Sequence, residues 1–190
     1  MITGHFGLAA GIKKLAPRLP LWALLLATFW LDIIFIFLSI LGVESFAPIY
    51  PSHPAYGEVI INAFYTHSLV GAILISVITG WFAHLRWEKE GGIVIGMVVF
   101  SHWLLDLLVH RPDLPILPGN IGDLPLLGFG LWNRPLLSGI IELVLALGGA
   151  FLYSHGIQQL KVNQRRYALA ASTMTTALLL LLFITNILGL

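Results

Sequence analysis

His102 and Asp106 stand one helical turn apart in Ser101-His102-Trp103-Leu104-Leu105-Asp106, and His110 follows one turn later. On a helix the positions i, i+4 and i+8 form a single stripe. A neutral imidazole and a carboxylate placed in this way grip one cation, and zinc accepts such mixed nitrogen and oxygen ligands in a tetrahedron. Three more groups of the same kind stand in apolar surroundings elsewhere: His5, Asp32 in Trp30-Leu31-Asp32-Ile33, and His67 in Tyr65-Thr66-His67-Ser68. A carboxylate in hydrocarbon costs several kcal/mol unless it is paired or coordinated. No Lys or Arg stands in the apolar segments that carry Asp32 and Asp106. A bound divalent cation, zinc or another, answers that need, with the nearby histidines as its other ligands. The alternative is a set of protonated carboxyls hydrogen-bonded to histidines, with no metal.

The elements that must position these groups cross a membrane. The chain has 190 residues, of which 58% are hydrophobic and only 10% charged. A soluble domain carries about a quarter charged residues, so this chain cannot cover a water-facing surface. Its net charge of +1 provides no field for nucleic acid. It has no cysteine, which excludes disulfides and thiolate metal ligands. Five segments are long enough to cross roughly 30 Å of hydrocarbon. They run from Leu21 to Val43, Val59 to Ala83, Gly91 to His110, Leu136 to Tyr153 and Tyr167 to Leu190. They predict an all-α, polytopic membrane helix bundle forming a single integral membrane domain over residues 1–190. Met1 to Leu15 is too short to cross. Its Gly4, Gly7 and Gly11 have the spacings that let helices approach closely, and it reads as a re-entrant or interfacial half-helix. Lys13 and Lys14 follow its apolar residues, the reverse of the order in a secretory leader.

Positive charge orients the bundle. Lys13, Lys14, Arg18, Arg86, Lys89, Lys161, Arg165 and Arg166 all fall on one side of the five spans. That side is assigned to the cytoplasm, together with the N-terminus, in a cell inner membrane. Trp22, Trp81, Trp87 and Trp132 sit near span ends, as interfacial belts do. At helical rise, His5 lies about 14 Å into the membrane, Asp32 and His102 lie about 16 Å in, and His67 lies about 8 Å higher. The polar groups therefore share a layer in the middle to outer half of the bilayer.

Only Arg111 and Arg134 fall on the outer side, in Pro- and Gly-rich loops that flank the mouth of this layer. Arg suits phosphate or carboxylate recognition, so both are candidate substrate-binding residues. The plainer reading of Arg111 is a surface pair with Asp113. His110, at the outer mouth, and Glu142, alone on the fourth span, are possible additional site residues, with Ser138 as a simpler partner for Glu142. His53, His84 and His155 read as solvated residues of loops and span ends.

Gly4-His5-Phe6-Gly7-Leu8-Ala9-Ala10, Leu31-Asp32, Tyr65-Thr66-His67-Ser68-Leu69 and the His102–Asp106 motif together resemble the bacterial membrane-bound metal-dependent hydrolases, the LexA-regulated type among them. His102 through Pro118 is similar to an uncharacterised bacterial subgroup with Ser-His-Trp-x-x-Asp and His-Arg-Pro-Asp-Leu-Pro. The resemblance covers most of residues 1–135. The chain order His, Asp, His, His-x-x-x-Asp also resembles the helical zinc-dependent phospholipase C and single-strand nuclease superfamily. The resemblance implies that Asp32, His67, His102 and Asp106 hold one zinc, that His5 joins Asp106 on another, and that Asp32 and Asp106 are the catalytic carboxylates. The chain departs from the hydrolase pattern in having Asp32 alone where a doubled Asp-Ile-Asp is usual. It also has Asn62-Ala63-Phe64-Tyr65 where His-Arg-Gly is usual. Ser138 to Glu142 is the only echo of the superfamily's later His-x-x-x-acid pair, so a third metal is not expected.

The resulting expectation is a membrane-embedded, metal-dependent hydrolase acting on an ester or phosphoester of a lipid or lipid-linked substrate, with membrane lipids as its partners. An ion or proton transporter or channel using the same His/Asp layer is the alternative, and it predicts broken spans and inverted repeats. A non-catalytic membrane scaffold is a third reading. Water access to the His/Asp layer separates the scaffold from the hydrolase.

Overall fold

The computed structural model describes residues 1–48, 59–158 and 165–188. Among these the long regular elements are helices, beside one small two-stranded antiparallel sheet and an irregular loop over residues 110–134. Helix α1 (Ile2–Leu15) carries Gly4, Gly7, Ala10 and Gly11 on buried positions and runs mainly along α5 (Pro135–Gln158). A Cβ added at Gly7 would lie 2.5 Å from the Leu145 carbonyl oxygen and 2.8 Å from the Ala146 Cα, so only hydrogen fits. Gly149 of α5 abuts the Gly7 backbone from the other side. Two backbones in direct contact are what small residues permit between membrane helices. With 14 residues α1 reaches about 21 Å, too short to cross. It is enclosed by other helices and does not lie on the surface of the bundle. Lys13 anchors its end, donating to the carbonyls of Pro17 at 2.7 Å and Leu19 at 2.6 Å.

The first expected span is broken. Pro20 starts α2 (Leu21–Thr28), and α3 (Trp30–Ile40) leaves it at 51° across Phe29. The end of α3 is set by Gly42, whose φ of 72° suits glycine. The Val43 N–H bonds to the Leu38 carbonyl and the Gly42 N–H to the Ser39 carbonyl, the two bonds of a Schellman stop. This turn delivers Glu44 to the start of β1 (Ser45–Pro48), which pairs antiparallel with β2 (Val59–Asn62) in the register Phe46 to Ile61.

The second expected span therefore begins ten residues later than the sequence pattern implied, at Leu69 instead of Val59. Val59-Ile60-Ile61 is β-branched and pairs as a strand, and Ser68 caps the helix by accepting from the Gly71 N–H at 3.1 Å. Helix α4 (Leu69–Val109) merges the second and third expected spans into 41 residues, roughly 60 Å of helix, twice the hydrocarbon thickness. It is interrupted at Trp87 and at Glu88, which takes φ 60°. The two limbs fold back on each other: a Cβ on Gly80 would meet the Gly92 carbonyl oxygen at 2.9 Å and the Gly96 Cα at 3.3 Å. Helix α6 (Arg165–Leu188) packs on α5.

Three helices among the described residues are long and apolar enough to cross a membrane, or four if α2 and α3 make one bent span. This is fewer than the five expected; the second and third expected spans both fall within α4, whose two limbs count there as one helix. Phe37, Ile40, Val77, Trp81, Met97 and Phe151 are exposed, a surface that is stable only against other apolar matter. One buried core, with Leu24, Leu31, Val98, Val99 and Trp103, binds α2 and α3 to the second limb of α4. Another, with Ala10, Ala146, Ala150 and Leu179, joins α1, α5 and α6.

Candidate metal centre

Three parts of the chain deliver one polar cluster. Asp32 comes from the first turn of α3, His67 from the turn before α4, and His102 and Asp106 from its second limb. One ligand atom from each lies within 4.8 Å of all the others. His67 was expected inside a span. It lies instead in the turn just ahead of the Ser68 cap, because the helix starts late, and that turn aims its ring at the other ligands. The His102 Nε2 is 3.3 Å from Asp32 Oδ1 and 3.1 Å from Asp106 Oδ2. The His67 Nε2 is 3.4 Å from Asp32 Oδ1, 3.6 Å from Asp106 Oδ2 and 3.4 Å from the His102 Nε2.

These separations test the fit of a metal. A tetrahedron with bonds of 2.0–2.1 Å has edges of roughly 3.3–3.4 Å. The five edges above run from 3.1 to 3.6 Å. Two imidazole nitrogens and two carboxylate oxygens, at ligand spacing around a common point, can hold a divalent metal. The ion pairs that Asp32 and Asp106 make among the described residues are with histidines. Nitrogen and oxygen donors suit zinc and equally manganese or iron, so the donor set does not choose among them.

The surroundings orient both imidazoles. The His102 Nδ1–H donates to the Thr28 carbonyl at 2.7 Å, which lies at the buried end of α2, where the helix stops at the Phe29 bend. The His67 Nδ1 meets the Thr66 hydroxyl at 2.9 Å. Where Nδ1 carries the hydrogen, a neutral ring turns its Nε2 lone pair toward the carboxylates, the arrangement that outer partners impose on metal-ligating histidines. Trp103 Nε1–H holds the His67 carbonyl at 2.7 Å.

The remaining predicted residues fall around this group. His5 is buried, its ring stacked on that of His102 with centroids 4.0 Å apart. Its Nε2 is 3.1 Å from Asp106 Oδ1, the oxygen turned away from the other ligands. Its Nδ1 is buried without a hydrogen-bond partner among the described residues. The His110 Nε2 is 3.8 Å from Asp106 Oδ2, and its Nδ1–H donates to Asp113 at 2.9 Å. Asp113, offered above as a surface partner for Arg111, accepts this bond from His110. Arg111 is half-buried and Arg134 exposed. Glu142 is fully buried on α5 and stands outside the four-residue group, while the Ser138 hydroxyl donates to the Leu131 carbonyl. His84 and His155 are exposed, and His53 lies outside the described residues.

Sequence reasoning missed Thr28, Glu44 and Asp113. A backbone carbonyl leaves no trace in side-chain chemistry, so Thr28 had no signal. Glu44, a lone acid just after a glycine helix stop, did carry one. The cluster has one open side: the Asp32 side chain is 27% exposed, against 7% or less for the other ligands. Comparison with protein-family models, curated proteins and solved structures found no match to this chain.

Proposed function

We propose that this chain is a membrane-embedded metal-dependent hydrolase of the kind its motifs resemble, acting on an ester or phosphoester of a lipid or lipid-linked substrate. In this reading the kinked α4 crosses twice, α2 and α3 cross once as a bent span, and the N-terminus is cytoplasmic. The observation that carries the reading is the near-tetrahedral spacing of His67, His102, Asp32 and Asp106 around one point. His67, His102, Asp32 and Asp106 would hold the divalent cation, which when bound would supply Lewis-acid polarisation of the scissile group and activation of a water.

The chain's own residues do the rest. Asp32 faces the open side, where a water and a substrate carbonyl or phosphoryl oxygen enter. Asp106 spans the group, with Oδ2 toward His67 and His102 and Oδ1 toward His5. His110, braced by Asp113, stands at the rim. In this reading Arg111 and Arg134, in the loop between α4 and α5, orient an anionic head group. The exposure of Asp32 supports an enzyme over a sealed scaffold. The transporter reading keeps one observation in its favour, the 51° break between α2 and α3, but the carbonyl freed by that break is occupied by His102.

The test is hydrolysis by detergent-purified protein of a phospholipid panel and a chromogenic phosphodiester, with zinc or manganese added. The expected result is metal-dependent product release that is lost in Asp106→Asn. Folded, metal-loaded protein that releases nothing from either set overturns the hydrolase reading.

A further inference from the structure

Glu44 is buried, and each of its oxygens is engaged. Oε1 accepts the backbone N–H groups of Tyr65 at 2.7 Å and Thr66 at 2.9 Å, and Oε2 accepts the Thr66 hydroxyl at 2.9 Å. The Thr66 oxygen lies 2.9 Å from the His67 Nδ1, and the His67 Nε2 faces Asp32 and Asp106.

From this chain we infer that Glu44 is a positioning residue that acts through Thr66 to decide which nitrogen of His67 is free to take a metal. The direction of every bond follows from the donor inventory. A carboxylate only accepts. The Thr66 hydroxyl has one hydrogen and spends it on Glu44, so toward His67 it offers a lone pair. Nδ1 must then carry a hydrogen, and in the neutral ring Nε2 is left unprotonated toward the carboxylates. A hydroxyl whose hydrogen was not claimed would be equally able to donate to Nδ1, which would place the hydrogen on Nε2 and close the ligand position. The carboxylate comes from the turn that ends α3, across a gap of more than twenty residues of chain, so the same Schellman stop that ends the first span also sets the state of the ligand on the next element. Outer partners of this kind typically change metal affinity by about 10–100-fold.

The inference rests on the metal-centre reading, and the experiment separates the two. Glu44→Gln keeps the size of the side chain. Its amide oxygen accepts from the two backbone N–H groups and its NH2 turns to Thr66, so the hydroxyl is released to donate to His67. Ring-15N histidine spectra of the metal-free protein at pH 8, with the His67 signals assigned by their loss in His67→Gln, report the tautomer directly. Cobalt titration against a chelator reports affinity. The expected result is Nδ1–H in wild type and Thr66→Ser, Nε2–H in Glu44→Gln, and cobalt affinity reduced about 10–100-fold in Glu44→Gln and Thr66→Val but not in Thr66→Ser. An unchanged tautomer in Glu44→Gln overturns the inference, even if affinity falls, because a merely structural role predicts that outcome. If Glu44→Gln does not fold, the Thr66→Val and Thr66→Ser pair decides, and equal affinity in the two overturns it. A tautomer that switches while wild type takes up no cobalt upholds the Glu44 relay and ends the metal reading.

Discussion

Asp106 touches four histidines at once: His5 and His102 at 3.1 Å, His67 at 3.6 Å and His110 at 3.8 Å. No packing role requires that. The i, i+4 stripe on α4 was legible in the sequence because polar residues are so scarce in the apolar segments that each one stands out. The grouping of Asp32 and His67 with that stripe was legible for the same reason. Glu44 and Asp113 were harder to read, because their partners come from other segments or from a loop with no periodicity. At this scale one prediction concerns the arginines. If they grip an anionic head group by paired hydrogen bonds, Arg111→Lys and Arg134→Lys each lower kcat/KM by roughly tenfold, since Lys cannot reproduce the fork. Thermal stability should hold. Activity equal to wild type in both variants assigns them to the surface. A second prediction separates ligands from bystanders. His67→Ala and His102→Ala should lose stoichiometric metal, while exposed His155→Ala should keep it, as read by elemental analysis of each purified variant.

Breaks, more than helices, place the site. The bend at Phe29 exposes the Thr28 carbonyl to His102, the Gly42 stop delivers Glu44, and the late start of α4 puts His67 in a turn. Hydropathy shows where apolar residues run but not where a strand ends and a helix begins, which is why Val59 to Asn62 was assigned to a span. The close approach of α1 was legible in its glycine spacing, whereas its partner, α5, was not. That contact makes a sharp test. Gly7→Ala forces a Cβ into the Leu145 and Ala146 backbone and should cost about 1–3 kcal/mol or more by overpacking, a fall in Tm of at least several degrees. Gly148→Ala has nothing among the described residues within 4 Å of the new atom, and should leave Tm unchanged or slightly raised by helix propensity. Equal Tm values in scanning fluorimetry would contradict the packing of α1 against α5.

At the scale of the whole molecule, a chain that is 10% charged and carries broad exposed apolar faces belongs in a bilayer. The asymmetry of its Lys and Arg argues for a cytoplasmic N-terminus. The chain has no cysteine, so single introduced cysteines read its topology cleanly. Asp123→Cys should be labelled from outside intact cells and Glu88→Cys only after permeabilisation, and the reverse pattern would invert the bundle. The central claim is that four side chains from three parts of the chain close around a metal, and elemental analysis of gently purified protein tests it most directly. Wild type should carry at least one divalent transition metal per chain, and Asp106→Asn should carry none. Asp106→Asn should also melt lower, since a ligand at a hundred times its Kd stabilises by about 2.7 kcal/mol, on the order of 5–10 °C for a chain of this size. No transition metal in wild type, with Asp106→Asn melting at the same temperature, would contradict it.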